Sequence, residues 1–417
     1  MSRQLGRSVL IYACAFAVAG ATPFVLLPIL TRLLSPTQFG EVTAFLMLTA
    51  IVANAAGLSV HGLVSVRYFK VEREELRRLA SAALLLVLAA HAVVLVAVLV
   101  LHGPLARLFE LSAGSSALAV VAALALSLNL VFLALFQSSD RPLHYLGARL
   151  IQGAVELGLC LALLWLFIPD AGARTLSYAL ALVASAAFGA AWAWRQGHLG
   201  PATLSRQRLR ALLAFGAPML PHVAAGTAIT YLDRMVVSSL LGAQSLGLYM
   251  AAMQVGMVMI ALVEPLNKAL APWLFRQLAR DDEAVRRMIV RRTYGLFAAL
   301  VLAGVLLATL AWMLFDRLVG TAYVAARPLV PWMVAGFVLQ GMYYAVVNYL
   351  FFAERTGRLS VTSGTTAVVG LGVSYLLTSH WACSAPACRS RSTTRCCWRL
   401  VWVVAAVAVP MPWRLRR

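Results

Sequence analysis

The sequence has few charged residues, and acidic residues are the scarcest of them. Only 12% of its 417 residues are charged, with 15 Asp and Glu against 35 Lys and Arg. A soluble domain has about 25% charged and about 45–50% apolar residues, whereas this chain is 62% hydrophobic. An ordinary water-soluble protein is therefore excluded, and a chain that folds in lipid is indicated.

Motifs that carry enzymatic chemistry or bind a cofactor are also missing. The sequence contains no glycine-rich phosphate loop, no nucleophile motif and no His/Asp cluster with metal-ligand spacing. Its six cysteines match no zinc-binding pattern. We therefore expect no metal, no cofactor and no catalytic residues, and a protein that is not an enzyme.

Apolar runs of about 20 residues, by contrast, are abundant, and each is long enough to cross a hydrocarbon core of about 30 Å as a helix. Backbone groups find no water in lipid, so every run should be helical. The runs lie near 8–30, 40–64, 80–101, 116–137, 150–168, 175–194, 211–241, 245–266, 293–314, 328–352 and 360–378, with a weaker one near 400–410. The predicted fold class is an all-α polytopic membrane protein with about 12 transmembrane helices.

The basic residues alternate between the two sides of the predicted membrane. With the N-terminus in the cytoplasm, the inside segments up to residue 378 hold 22 Lys and Arg and the outside segments hold five. This is the positive-inside pattern of membrane proteins. The net charge of +20 therefore reports orientation and contact with anionic headgroups, and we expect membrane lipids rather than nucleic acid as partners.

A weak internal repeat relates the two halves of the chain. The segment "TRLLSPTQFGEV" (31–42) recurs as "SSLLGAQSLGLY" (238–249), so that Gly247 corresponds to Gly40, 207 positions earlier. About six spans separate equivalent positions, and an even number gives both halves the same orientation. The predicted parts are an N-terminal six-helix bundle (1–194), a cytoplasmic linker (195–210) and a parallel C-terminal six-helix bundle (211–417).

Four segments in order resemble the polysaccharide and O-antigen flippases of the multidrug/oligosaccharidyl-lipid/polysaccharide exporter superfamily. They are "LPILTRLLSPTQFGEV", "FGAPMLPHVAAGTAITYLDRMVVSSLLGAQSLGLYMAAMQVG", "EPLNKALAPWLFRQL" and "AERTGRLSVTSGTTAVVGLGVSYLLT". The resemblance covers about residues 1–378. It implies a V-shaped, alternating-access transporter made of the two bundles. Its cargo would be a polyprenyl-pyrophosphate-linked oligosaccharide, such as an O-antigen, lipopolysaccharide or exopolysaccharide repeat unit, which it moves across the bacterial inner membrane.

The resemblance also implies partners: the lipid-linked oligosaccharide, a glycan polymerase and other export machinery. A multidrug or lipid II exporter of the same superfamily is the alternative, because the residues do not identify what fills the lumen. A membrane glycan polymerase or glycosyltransferase is disfavoured, because such enzymes need a substantial extracytoplasmic loop. The predicted outside loops before residue 378 are all short.

Asp233 and Arg234 are adjacent within the apolar stretch "TYLDRMVVSSLLG" (230–242). A charge at the centre of a spanning helix costs about 2.5–3.5 kcal/mol, so each should face a lumen or a partner. Neighbouring residues on a helix do not face each other. Either Arg234 binds a phosphate or sugar while Asp233 orients it or carries a proton, or the two residues make structural contacts between helices.

Other polar residues in or near the spans are further candidates. Those for lining the lumen and binding substrate are Arg32, His61 and Asn54. Those for proton coupling are Glu156, Glu264 and Glu41. The alternatives are interfacial capping for Arg32 and Glu41, solvation at a helix end for Glu264, and hydrogen bonding between helices for Asn54 and for Asn129.

The segment "SHWACSAPACRSRSTTRCCWRL" (379–400) breaks the pattern of the chain. The repeat predicts another apolar helix after Thr378, yet this segment is rich in Arg, Ser and Cys. With GC-rich codons, a frame that starts at the third base of each present codon reads as an apolar helix with small residues. We therefore predict a shifted reading frame, with a divergent extracytoplasmic loop as the alternative, and assign no site beyond Thr378.

Overall fold

The computed structural model describes residues 3–166, 170–200, 205–278 and 282–352, and every regular element in these ranges is helical. The helices are α1 (Arg3–Leu33), α2 (Pro36–Ala56), α3 (Val60–Tyr68), α4 (Arg73–Val100), α5 (His102–Phe109), α6 (Ala113–Ser138), α7 (Pro142–Leu166), α8 (Ala171–Arg195), α9 (Arg206–Gly256), α10 (Val258–Leu278), α11 (Glu283–Leu318) and α12 (Val330–Phe352). A 3-10 helix, Thr321–Leu329, precedes α12. The predicted spans after residue 352 and the segment 379–400 lie outside the described residues.

Within the described residues, eight helical segments are long and apolar enough to cross a membrane. Their starts follow local sequence signals. Helix α2 begins with a capping box, in which the side chains of Ser35 and Gln38 each accept a hydrogen bond from the backbone N–H of the other residue. Helix α8 begins after Asp170, whose carboxylate accepts the N–H of Ala173 at 3.0 Å.

The predicted second span, 40–64, is interrupted in the structure. Helix α2 ends at Ala56, and the next residues include Leu58 and Ser59 with φ of 49° and 48°. Left-handed backbone is unfavourable for residues with a side chain. The break coincides with a close approach of α9, because a Cβ added to Gly216 would overlap the Leu58 carbonyl oxygen.

Helix α9 contains a break where the prediction separates its seventh and eighth spans. Gly242 has φ 78° and ψ 174°, a conformation that is essentially confined to glycine. The helical course resumes at Ala243 and continues to Gly256, and α10 follows after Met257. The chain therefore changes direction at Gly242 within one continuous apolar region.

Contacts within the chain form two compact units, residues 1–247 and 248–417. The core of the first unit includes Val87, Phe136 and Trp192. Asn129 on α6 donates to the carbonyl of Leu182 on α8 at 2.7 Å and accepts from Ser185 at 2.7 Å. Asn129 therefore forms hydrogen bonds between α6 and α8, which is one of the two roles predicted for it.

The second unit contains α10, α11 and α12. Asn348 Nδ2 donates to Asn267 Oδ1 at 2.8 Å, and the hydroxyls of Thr293 and Tyr349 lie 3.1 Å apart. The boundaries predicted for the two six-helix bundles, with the linker 195–210 between them, stay a prediction.

Candidate functional site

Helices α2 and α9 lie side by side and run in opposite directions. In the last turn of α2, Asn54 Nδ2 donates to Thr227 Oγ1 at 2.9 Å. Towards one end, Gly62 of the following helix α3 lies against the ring of Phe215, and towards the other end Gly40 approaches Ala243. Residue numbers rise along α2 as they fall along α9, so the two helices are antiparallel. The contact includes the two glycines, the hydrogen-bonded pair Asn54 and Thr227, and the ring of Phe215.

Arg234 on α9 is buried within the first unit, with 8% of its surface exposed. Its guanidinium carbon lies 4.9 Å from the centroid of the Tyr231 ring, one helical turn earlier. Such a cation–π contact is worth about 0.5–1 kcal/mol at an exposed site and about 2 kcal/mol when it is desolvated. Tyr231 therefore holds a buried cation in a defined position.

Asp233 does not lie on the same face of α9 as its neighbour. Its side chain is half-buried, and its Oδ1 accepts the backbone N–H of Arg234 at 2.8 Å. The carboxylate is thus directed at the backbone of the following residue. This geometry agrees with the expectation that adjacent helix residues point apart.

Glu156 on α7 forms a buried ion pair with Arg174 on α8. Glu156 Oε1 lies 2.6 Å from Arg174 Nη2, and the two residues are 5% and 4% exposed. The guanidinium also lies 5.6 Å from the centroid of the Tyr178 ring. Arg174 Nη1 is buried and has no hydrogen-bond partner among the residues that the structure describes.

The two arginine–tyrosine pairs lie on α8 and α9, and both of these helices contact α2. The ring of Phe45 on α2 meets Tyr178 edge-on, with centroids 6.4 Å apart. Tyr178 also interacts electrostatically with Tyr231. We call Glu156, Arg174, Tyr178, Tyr231 and Arg234 the arginine–tyrosine cluster. Two guanidinium groups held over tyrosine rings provide the planar donors that suit phosphate and carboxylate groups.

Sequence reasoning missed Arg174, which it counted among the outside loop residues. A signal was present in the spacing: Arg174 and Tyr178 are four residues apart, and Tyr231 and Arg234 are three apart. Side chains with either separation meet on the surface of one helix. An arginine and a tyrosine at helical spacing within an apolar region therefore indicate a held cation.

The remaining predicted site residues lie elsewhere. Arg32 is exposed and donates to the carbonyl of Pro28 at 2.9 Å, while His61 is half-buried at the start of α3. Glu41 is half-buried on α2. Glu264 is exposed on α10 in the second unit and interacts electrostatically with Tyr344. The structure brings none of these four into the arginine–tyrosine cluster among the contacts of its described residues.

A further residue that sequence reasoning missed is Glu110, at the end of α5. Its Oε2 accepts the backbone N–H of Ala243 at 2.9 Å. The two residues are 133 positions apart, and no local pattern relates them. Among the described residues, no three His, Cys, Asp or Glu side chains lie close enough together to hold a metal ion.

Comparisons with known proteins extend these observations. The family model described as "Polysaccharide biosynthesis protein" matches residues 5–278. A protein of the Lsg locus of Haemophilus influenzae is 26% identical over 165 residues, which are 38% of this chain and 39% of that protein. An uncharacterized membrane protein of the same organism is also 26% identical over 165 residues, 39% of each chain. The chain thus spans 39% of the length of the curated relatives that it matches.

Two solved structures show the same fold over nearly the whole chain. The inward closed conformation of the lipid II flippase MurJ superposes with a TM-score of 0.73 at 10% identity, covering 95% of this chain and 87% of the flippase. An inward-facing multidrug resistance transporter of the MATE family and MOP superfamily gives 0.66 at 13% identity, covering 98% and 96%. The likeness confirms the predicted all-α, multi-pass membrane fold.

Proposed function

This chain belongs to the polysaccharide biosynthesis protein family, and from that premise we propose that it is a flippase for a lipid-linked oligosaccharide. The cargo is a polyprenyl pyrophosphate that carries an O-antigen or exopolysaccharide repeat unit, and it crosses the bacterial inner membrane. Support comes from the family match over residues 5–278 and from a fold shared with a lipid flippase and a multidrug transporter.

The arginine–tyrosine cluster carries this proposal. A pyrophosphate group that crosses the membrane needs fixed cations, because its charge is costly in hydrocarbon. Arg234 is buried and stacked on Tyr231, so it offers a positioned guanidinium, and Asp233 maintains the local backbone beside it. Arg174 offers a second guanidinium. Its buried Nη1 has no hydrogen-bond partner among the described residues. Asn54 is the candidate for contact with sugar hydroxyls.

Glu156 is the proposed site of coupling to a proton. In this structure its carboxylate neutralises Arg174 at 2.6 Å. A proton on Glu156 would remove that neutralisation and release the guanidinium for an anionic cargo. Proton uptake and cargo binding would then favour each other, which is what coupling between two sites requires. Glu41 and Glu264 stay secondary candidates for the same role.

The arginine–tyrosine cluster also favours some of the alternative cargoes over others. Buried cations favour an anionic cargo and disfavour a cationic drug. A lipid II exporter stays the alternative, since the fold of the lipid II flippase is shared. The proposed protein is not an enzyme, lies in the inner membrane with a cytoplasmic N-terminus, and supplies its glycan to a polymerase on the far side.

The experiment that tests the function follows the cargo in cells from which the gene has been removed. We expect radiolabelled lipid-linked oligosaccharide to accumulate on the cytoplasmic leaflet, and the wild-type gene to restore export. Restoration by a version with the alternate frame over residues 379–400, but not by the printed chain, would establish the frame shift. Normal glycan export without the gene would overturn the proposal. Accumulation of lipid II instead would establish the alternative.

The predicted orientation has a separate test. Single cysteines at Ser115 and Gly172 should react with an impermeant thiol reagent added outside intact cells, whereas cysteines at Ser205 and Ala279 should not. Labelling of the second pair without permeabilisation would contradict a cytoplasmic N-terminus.

A further inference from the structure

A cavity of about 330 Å³ lies between α10, α11 and α12 in the second unit. Binding sites for small molecules range from about 300 to about 1,000 Å³ and are mostly apolar, with a few placed polar groups. This cavity has the same composition. Its polar lining residues are Asn267, Arg292, Thr293, Asn348 and Tyr349, and the other described residues that line it are Val, Leu, Ala and Gly. We call the space that these residues bound the amphipathic cavity.

The apolar end of the amphipathic cavity is closed where three helices pack around Gly341. A Cβ added to Gly341 on α12 would lie 3.0 Å from Val263 Cγ2 on α10 and 3.3 Å from Leu300 Cδ1 on α11. Val263 and Leu300 are both buried. A polar group placed at this end would lose its hydrogen bonds to water, so the end is suited to hydrocarbon.

Two hydrogen-bonded pairs mark the polar end of the amphipathic cavity. Asn348 Nδ2 on α12 donates to Asn267 Oδ1 on α10 at 2.8 Å, and the hydroxyls of Thr293 on α11 and Tyr349 lie 3.1 Å apart. Asn348 follows Gly341 by about two helical turns, so the polar and apolar ends are separated along α12. Both pairs join α12 to a neighbouring helix, and the space between the three helices is therefore already formed.

Arg292 adds a cation to the polar end. It precedes Thr293 on α11 and lines the cavity with an exposed side chain. The start of α11 also carries Arg286, Arg287 and Arg291, and of these four arginines Arg292 is the one in the cavity lining. Basic pockets between transmembrane helices bind the headgroups of anionic lipids on the cytoplasmic side, which is the side predicted for this end of α11. A guanidinium also matches the geometry of a phosphate.

A second cavity shows what the first one adds. It has a volume of about 560 Å³ and lies between α11 and α12, and its described lining is apolar apart from Thr309 and Trp312. No charged side chain is among the described residues that line it. Hydrocarbon could occupy either cavity, but the amphipathic cavity alone of these two also offers a cation to a headgroup.

We propose that the amphipathic cavity binds one anionic membrane phospholipid. Arg292 holds its phosphate, and one of its acyl chains enters the apolar end beside Gly341. The lipid joins α10, α11 and α12 within the second unit. The inference goes beyond the proposed function and does not depend on it, because the cargo is assigned to the arginine–tyrosine cluster of the first unit.

The experiment measures the binding of a phosphatidylglycerol that carries a photoactivatable group in one acyl chain. The purified full chain is placed in nanodiscs of phosphatidylcholine that contain a small fraction of this probe, and crosslinked peptides are identified by mass spectrometry. We expect crosslinks within residues 263–274, 292–300 and 341–349. Unlabelled phosphatidylglycerol should compete at least about tenfold better than phosphatidylcholine with the same chains, a factor that corresponds to about 1.4 kcal/mol.

Two variants test the two ends of the cavity separately. Arg292→Gln should lower crosslinking at least about tenfold, since a hydrogen bond to a charged group is lost. Arg291→Gln removes the same charge one residue away and is the matched control, which should crosslink as the parent does. Ala345→Leu places a larger side chain in the cavity lining and should lower crosslinking in the same peptides. Its control is Ala335→Leu, which enlarges a residue of the second cavity.

The outcomes separate the phospholipid from other occupants. Stronger competition by polyprenyl phosphate than by phosphatidylglycerol would overturn the proposal and assign the cavity to the cargo lipid. An absence of crosslinks in these peptides, as expected if another part of the chain fills the cavity, would overturn it too. Should Ala345→Leu fail to fold, equal crosslinking in Arg292→Gln and Arg291→Gln would be sufficient to refute it. The assay contains no cargo, so a failed export test would leave this site standing.

Discussion

Two acid–arginine combinations within the apolar helices that the structure describes behave differently. Glu156 and Arg174 are 18 positions apart and form a buried ion pair at 2.6 Å. Asp233 and Arg234 are adjacent, yet the aspartate accepts a backbone N–H while the arginine lies over Tyr231. Adjacency along a helix separates side chains by about 100° of rotation, so nearness in sequence is a poor guide to pairing.

This difference implies different consequences of mutation. Removing one member of a buried pair leaves an uncompensated charge in a medium that solvates it poorly, so stability suffers first. Arg234 is held by a ring contact with Tyr231, and we proposed that it binds the cargo, so transport should suffer first when it is replaced. We therefore expect mutation to affect stability first at Glu156 and Arg174, and transport first at Arg234.

The largest expected effect is at the buried pair. Arg174→Gln should lower the free energy of unfolding by about 3–5 kcal/mol, because Glu156 then carries a buried charge without its partner. The measurement is the denaturation midpoint of purified protein in detergent, together with its abundance in the membrane. Replacing both residues, as in Glu156→Leu with Arg174→Leu, should recover most of the loss. A double variant no more stable than Arg174→Gln would refute the pairing.

The next effect concerns export rather than stability. Hydrogen bonds to a charged group are worth about 1.5–3 kcal/mol, so Arg234→Gln should reduce export about 10- to 100-fold at unchanged abundance. Arg234→Lys should retain more activity, although lysine lacks the planar fork, and Asp233→Asn should be partly defective. Loss of abundance in parallel with loss of export would show instead that Arg234 is structural.

A smaller effect is expected at the rings that hold the two cations. Tyr231→Leu removes the cation–π contact of Arg234 and should weaken export by a factor that corresponds to about 1–2 kcal/mol. Tyr231→Phe keeps the ring and serves as the matched control. Tyr178→Leu should reduce stability more than export, because Glu156 neutralises the arginine beside Tyr178 in this structure. If Tyr231→Leu and Tyr178→Leu changed export and stability in the same way, the functional distinction between the two arginine–tyrosine pairs would be lost.

Much of the fold was predictable, because long apolar runs determine helices in lipid. The break near Gly242 and the candidates Asp233, Arg234 and Glu156 also follow from where charge and glycine interrupt those runs. Arg174 was missed for a definable reason. The apolar run in the sequence starts only at residue 175, whereas the cap at Asp170 starts α8 at Ala171 and places Arg174 inside the helix.

Contacts between distant segments were beyond a pattern-based prediction. The repeat identified Gly40 and Gly247 as equivalent, but equivalence does not imply that the two glycines meet, as they do where a Cβ added to Gly247 would lie 3.0 Å from the backbone nitrogen of Gly40. Their contact depends on how helices cross, and the position of Glu110 depends on a left-handed residue at the end of α5. Periodicity describes which face of a helix is apolar, and it contains no information about which backbone that face approaches.

A third acid–arginine pair sharpens the comparison and carries the smallest expected effect. Arg208 near the start of α9 donates twice to Glu75 on α4, with Nε–Oε1 at 3.1 Å and Nη2–Oε2 at 3.0 Å. This two-bond geometry is better than the single bond of Glu156 and Arg174, yet 46% of the glutamate side chain is exposed. Exposed pairs are screened by water and salt and contribute about 0–1 kcal/mol. Arg208→Gln should therefore shift the unfolding free energy by less than about 1 kcal/mol, and added salt should reduce the shift further. A loss as large as that of Arg174→Gln would mean that geometry rather than burial determines the worth of an ion pair in this protein.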